Sequence, residues 1–529
     1  MSDKTTNPVA GATTFKEDLS KTKLSHKYDS VTGEIVFSTD PYTNNEGFFY
    51  PKHAEHLPKE AIDAIKAAAP FAICPLDGRY AEDGELKFAP YFSEYALFKY
   101  RIRVEIAWLI FFLNHVDLFN DNIDFTFEDE ALLKGIYERY DMESYSRIKE
   151  IESKTRHDVK AVELYIGEEL DKLEYGKLKS FVHIGRTSED INNTSYALMI
   201  KEALFETWLP KAEALIEQLS NMAEMFESTP MMGHTHGQPA TPTTIGKEVG
   251  VYVYRLKESI CNLHCAEIYA KLNGATGTYA ADRIAYPNEN WPELSKYFIE
   301  DYLGLVFNPI TTQIEPQDWM CRIFNEVRQF CGILKDFCID SWLLISMEYY
   351  NQRTIATEVG SSVMPHKVNP IMFENGESNC DLCISFCEGL SRKLAQSRLQ
   401  RDLSNSSALR NIGMIFGYAY QAISQAMKGC NRISPNEEKL KADLENNYAI
   451  LAEAVQTVLR KHGNPEAYNQ LKELTRGKVI TKEIMHQFIE GLDIPEDDKK
   501  RLLELKPSEY IGYATEITGE AVKMSIFDF

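Results

Sequence analysis

The chain lacks any apolar run long enough to span a bilayer. Its most apolar stretch, residues 106–113, is short and lies between Arg101, Arg103 and Glu105 on one side and Asp117 on the other. The first sixteen residues are polar and small, with no hydrophobic signal region. Basic residues are in the minority: 57 Lys and Arg against 79 Asp and Glu, a formal net charge of −22. That balance argues against nonspecific attraction to DNA, RNA or anionic lipid. It leaves room for a local basic pocket that takes a small anion. There is no HExxH, no second CxxC pair beside Cys380 and Cys383, no internal repeat and no low-complexity tract. A zinc site is therefore disfavoured. Cys380, Cys383 and Cys387, like Cys261 and Cys265, stand at helical spacing and read as buried thiols on helix faces. Reduced thiols suit a cytoplasmic protein.

Breakers are scarce where periodicity is strong. Residues 188–229 hold one proline, Pro210, and no glycine; residues 318–359 hold one glycine, Gly332, and no proline. Residues 98–118, 382–399 and 408–428 continue the helical spacing, and alternating patterns are rare. The spacing predicts a mainly α fold built on a central long-helix bundle. The composition, 44% hydrophobic and 26% charged, is that of an ordinary globular protein, and the length allows several domains. We expect an irregular N-terminal extension over 1–70, an N-terminal helical domain over 71–185, the bundle over 186–432 and a smaller charged helical domain over 433–529. Breaker-rich islands at 74–80, 183–193, 231–246, 273–313 and 360–370 are expected as loops between helices, where functional groups gather.

Those islands carry the chemistry. Gly360-Ser361-Ser362-Val363-Met364-Pro365-His366-Lys367-Val368-Asn369-Pro370 combines a turn-forming backbone with a lysine charge and an amide two residues apart. By itself it could equally be a polar capping loop. His234-Thr235-His236-Gly237-Gln238-Pro239-Ala240-Thr241-Pro242 offers imidazoles, which exchange protons near neutral pH, though a loop histidine is more often structural. Thr187-Ser188-Glu189-Asp190-Ile191-Asn192-Asn193 reads as a helix N-cap, and a helix N-terminus also favours an anion.

The first of these segments resembles the GSSxMPxKxNP loop of the fumarase/aspartase superfamily. His366 before Lys367 and the run from His236 to Pro242 look like the adenylosuccinate lyase family, of the longer bacterial type. Further blocks share the resemblance: Asp77-Gly78-Arg79-Tyr80, Thr155-Arg156-His157-Asp158, Thr311-Thr312-Gln313-Ile314-Glu315, and Arg401 through Ser406 to Arg410. Together they span about residues 73 to 523. Related lyases such as carboxymuconate cycloisomerases share the loop. The blocks around Arg79 and Arg401 suit a phosphorylated nucleotide and separate the readings.

The resemblance implies a three-domain, mainly α fold and the release of fumarate from adenylosuccinate, leaving AMP, and from SAICAR, leaving AICAR. It implies Ser361 as general base, His236 as general acid with Glu374 as its hydrogen-bond partner, and His157 beside the substrate. It places Thr187, Ser188, Gln313, Lys367 and Asn369 on the succinyl carboxylates. Arg79, Tyr80, Asp158, Arg401, Ser406 and Arg410 fall on the phosphate and nucleotide side. No cofactor, metal, nucleic acid or membrane partner is implied. The implied assembly is a homotetramer whose sites draw on three subunits.

Overall fold

In the computed structural model the described residues are 59–116, 125–355 and 363–529, together with the backbone of two short strands, β1 (His26–Tyr28) and β2 (Ile35–Phe37). Met1–Tyr50 form one compact unit, in which β1 and β2 pair antiparallel with Lys27 opposite Val36. Pro51–Phe529 form the other, and it is mainly α as the spacing predicts.

Helix α1 (Glu94–His115) begins at Ser93, whose hydroxyl accepts the Ala96 amide at 3.1 Å. Every position from residue 100 to residue 112 is buried, and Ile102, Val104, Ile106, Trp108, Ile110 and Phe111 fully so. The helix therefore runs inside the core. Helix α2 (Asp158–Lys172) packs on α1, and so does α3 (Ser188–Glu202). The bundle centre is formed by α4 (Leu209–Met225), α5 (Ile245–His264), α6 (Asp318–Ser346), α7 (Ile371–Leu394) and, after the short α8 (Ser404–Leu409), α9 (Ile412–Cys430). At 29 residues, α6 is about 43 Å long from its rise of 1.5 Å per residue. Cys380, Cys383 and Cys387 lie fully buried along α7. Beyond α9, Val455, Leu459, Leu471, Met485 and Ile489 build an apolar cluster of their own, and α10 (Ala514–Lys523) follows.

Several expected boundaries move, each for a local reason. The helix expected over 188–229 is interrupted by a π-turn at Ala203–Trp208, because Pro210 lacks the amide that would continue the ladder. The helix expected to reach 359 stops at Ser346. Glu348 takes a left-handed φ of 63°, and Tyr350–Gln352 then pairs antiparallel with Ile433–Pro435. The island 183–193 is a loop only as far as Thr187. The island 231–246 is largely a hairpin, β3 (Pro230–Thr235) and β4 (Gln238–Thr244), with a bulge between Met232 and His234. The island 273–313 contains two short helices, Ala280–Ala285 and Trp291–Tyr297.

The hairpin stands at the junction of α4 and α5. The Ile245 amide donates to the Thr229 carbonyl and the Gly246 amide to the Phe226 carbonyl, both at 2.9 Å. A side chain at Gly246 would collide with the Ala223 carbonyl and the Glu227 backbone. No helix among the described residues is long and apolar enough to cross a membrane.

Candidate active site

The first cluster is built on the N-terminus of α3. The Thr187 amide donates to Asp190 Oδ2 at 2.8 Å, closing the first turn. Asp190 is fully buried and pairs with the equally buried Lys271 at 2.8 Å. It also accepts the amides of Asn273 at 3.1 Å and Gly274 at 3.2 Å. Burial alone would raise its pKa, but Lys271, Arg186 and the Thr187 amide outweigh that and hold the carboxyl below the ordinary range. Thr187 and Ser188 remain half-buried at this helix end, where the first amides of a helix lack intrahelical partners. Arg401 reaches this helix from a distant block. It pairs with Glu189 at 2.9 Å and donates to Gln313 Oε1 at 3.1 Å. Gln313 in turn donates to the Ala275 carbonyl at 2.9 Å. Arg401 thus links Gln313 to the first turn of α3, the turn that Thr187 caps and Ser188 begins.

A second cluster joins the His157 block to the same helix. Asp158 pairs with Arg101 at 2.8 Å and with Arg410 at 3.4 Å. Arg101 also donates through Nε to Asn192 of α3 at 2.9 Å. Burial raises the Asp158 pKa, but the Arg101 charge overcomes it and the net displacement is downward. His157 caps α2, its Nδ1 accepting the Lys160 amide at 3.1 Å, and the ring is otherwise exposed. That leaves Nε2 as the nitrogen for a ligand. Ser406 is half-buried on α8 and Arg410 is exposed just past it. Arg79 is exposed, whereas the neighbouring Tyr80 hydroxyl accepts the Asn375 amide of α7 at 3.0 Å.

The remaining groups are presented outward. Ser361 lies outside the described residues, as do Gly360 and Ser362. Lys367 is exposed in a turn where its amide donates to the Met364 carbonyl at 3.1 Å, and Asn369 precedes Pro370 at the start of α7. Glu374, in the first turn of α7, accepts the Trp342 indole N–H at 3.1 Å. His236 occupies the hairpin tip. Thr235 pairs with Gln238, so His236 and Gly237 are the whole loop, and both have positive φ, 53° and 70°. This is the two-residue turn that matches strand twist. Glycine takes the left-handed region freely and histidine is among the side chains that tolerate it. Among the described residues, no contact joins His236, Lys367 or Glu374 to the two clusters. None of the described His, Cys, Asp and Glu gather in a group of three that could hold a metal ion.

Sequence reading missed Arg101 as a support of the site, treating it only as charge that bars membrane insertion. The signal was present: Arg101 stands in a long helical stretch rich in large apolar residues, where it is buried to 3% exposure, and a buried guanidinium needs acceptors. Lys271 and Trp342 were also passed over. Nothing near them in sequence announces their partners.

A family model described as "Lyase" matches residues 83–382, and one described as "Adenylosuccinate lyase C-terminal" matches residues 397–511. Adenylosuccinate lyase of Haemophilus influenzae is 44% identical over 447 residues, covering 84% of this chain and 97% of that protein. The Vibrio cholerae enzyme of that name is 43% identical over 86% of this chain and 99% of its own length. The Escherichia coli K12 enzyme is 43% identical over 85% and 98%. Two solved structures share the fold: a fumarate lyase from Mesorhizobium (TM-score 0.65, 16% identity, covering 82% of this chain and 97% of that one) and a 3-carboxy-cis,cis-muconate lactonizing enzyme from Pseudomonas putida (0.62, 20%, 82% and 94%). With blocks from five parts of the sequence tied to one helix, and with relatives matched over nearly their whole length, the chain belongs to the adenylosuccinate lyase family of the fumarase/aspartase superfamily.

Proposed function

We propose that the chain eliminates fumarate from adenylosuccinate to give AMP, and from SAICAR to give AICAR, in purine nucleotide biosynthesis. The observation that carries this reading is the convergence of Thr187, Ser188, Gln313 and Arg401 on one helix N-terminus, in a chain of this family. The substrate brings two carboxylates and a phosphate, about four negative charges in all. Arg79, Lys367, Arg401 and Arg410 supply the matching cations on an acidic protein.

Elimination removes a carbon-bound proton next to a carboxylate and expels a nitrogen. Charge builds on that carboxylate, so preorganised donors contribute most there. Thr187, Ser188 and Gln313 hold the succinyl carboxylates, and Lys367 and Asn369 take the developing charge. Ser361 takes the proton from carbon once its loop closes, and His236 protonates the departing nitrogen, with Glu374 as its partner. Arg79, Tyr80, Ser406 and Arg410 hold the phosphate, while His157 and Asp158 line the nucleotide side.

The working form is a homotetramer with composite sites. Two features favour this. Glu374 is engaged by Trp342 of its own chain, and His236 projects from an exposed tip. The groups of one chain therefore need those of another. Each site would draw its blocks from three subunits. Free thiols throughout the described cysteines suit a cytoplasmic setting. The test is a spectrophotometric assay of the purified protein with each substrate, alongside sedimentation at assay concentration. Absence of fumarate from both substrates overturns the activity. A fully active monomer overturns the composite site.

A further inference from the structure

We infer that the C-terminal segment, residues 514–529, is a clamp that aims the β3–β4 hairpin, and that Lys257 fastens it as a positioning residue. The inference rests on the reading of His236 as the acid. Neither matched family model extends beyond residue 511, so neither assigns this segment a role.

Lys257 lies on α5 and is 6% exposed. Its ammonium donates to the carbonyls of Ala521 at 3.0 Å, Val522 at 2.8 Å and Met524 at 2.6 Å. Three protons meet three acceptors: two carbonyls of the last turn of α10 and that of Met524 just beyond it. A cation there also opposes the helix dipole. Two turns earlier on α5, a side chain on Gly250 would already be in van der Waals contact with Thr518 and Ala521, so α10 lies directly along α5. At the other end of α10, the Thr515 hydroxyl donates to the Glu227 carbonyl at 3.2 Å. Glu227 stands between α4 and β3, where the two roots of the hairpin are sewn together. Helix α10 also touches β4 itself.

The tail beyond α10 adds two aromatic contacts. Phe529 meets Tyr254 edge-on at 4.9 Å and Phe527 meets His264 at 5.4 Å. His264 continues across to Glu213 of α4 at 2.7 Å. The segment therefore binds α4, α5 and the hairpin root at once. A two-stranded hairpin is marginal on its own. Residues 437–445 pack on β3 and residues 448–451 on β4, and the C-terminal segment adds the brace at the roots.

The test uses the full-length enzyme with Lys257→Met, a separate deletion of residues 524–529, and Lys257→Arg as the conservative variant. In Lys257→Met, amide exchange across 230–244 should quicken about tenfold while 318–346 stays unchanged. Turnover should fall about tenfold with KM nearly constant, since a misaimed acid affects the chemical step rather than binding. The deletion should reproduce most of this effect, and Lys257→Arg should recover part of it. Where Lys257→Met does not fold, the deletion decides alone. Unchanged exchange in 230–244, or equal quickening in 318–346, overturns the clamp. Normal turnover in a His236 variant would remove the acid reading but leave the exchange result to judge the clamp independently.

Discussion

The N-terminus of α3 and the tip of the β3–β4 hairpin are built in opposite ways. At α3, Asp190 is fully buried and held by Lys271 and three backbone amides, and Arg401 ties the same helix to Gln313. Asp190 there is fixed from several sides. At the hairpin, two residues with positive φ carry His236 into solvent, and the packing that supports it is on the strands below the tip. The contrast separates two tasks. Holding a substrate carboxylate gains from donors fixed in advance, because reorganisation would waste their effect. Proton delivery can be brought in by a group on a projecting arm, including one presented to another copy.

The comparison can be broken at four points. The largest effect is expected at the acid and the base. His236→Asn keeps a residue that accepts the left-handed turn, so the hairpin should stay folded while turnover drops about a thousandfold. Ser361→Ala should do likewise, and near-normal rates in either variant would falsify that residue's role. Second, Asp190→Asn should cost about 3 kcal/mol in denaturant unfolding, because it strands the buried Lys271 charge. Its depressed carboxyl contributes stability that is present above the unfolded pKa and lost as pH falls through the folded value. The variant should therefore also flatten the fall in stability below about pH 4. A wild-type acid limb in the variant would contradict the pairing. Third, Arg401→Met should raise KM between about tenfold and a hundredfold, the worth of hydrogen bonds to charged groups. Steady-state kinetics would show an unchanged KM if Arg401 merely braces Glu189. The smallest effect is at Gly237, which has open space around it. Gly237→Ala should lower stability by about 1 kcal/mol through backbone strain alone, visible as a small drop in Tm.

How much of this was legible in the sequence follows the same division. The scarcity of glycine and proline over 188–229 and 318–359 exposed the long helices, and the Thr187 block was readable as a cap because capping is local. The hairpin was not read as strands. Its prolines at 239 and 242 and its short length mask the alternation, and only the tip residues His236 and Gly237 carry a turn signal. The early end of α6 was hidden because nothing in the residues around Glu348 is a breaker. The left-handed φ there is imposed by pairing with residues 433–435. Within the site, the residue types of each block were visible, but their links were not. Arg401 meets Glu189, and Lys271 meets Asp190, across long stretches of chain. Those pairings are products of tertiary packing.

Gly246 gives the junction of α4 and α5 a different significance. Any side chain there would strike the Ala223 carbonyl and the Glu227 backbone, forcing the two helices apart at the foot of the hairpin. Every amino-acid replacement that a single-base change can make at a glycine codon, alanine and valine among them, carries a Cβ. This position should therefore stay silent under random mutagenesis, its changes removed by selection although it touches no substrate. A saturation library selected for growth without supplied purines would show Gly246 as intolerant as the catalytic positions, for a reason that is wholly geometric.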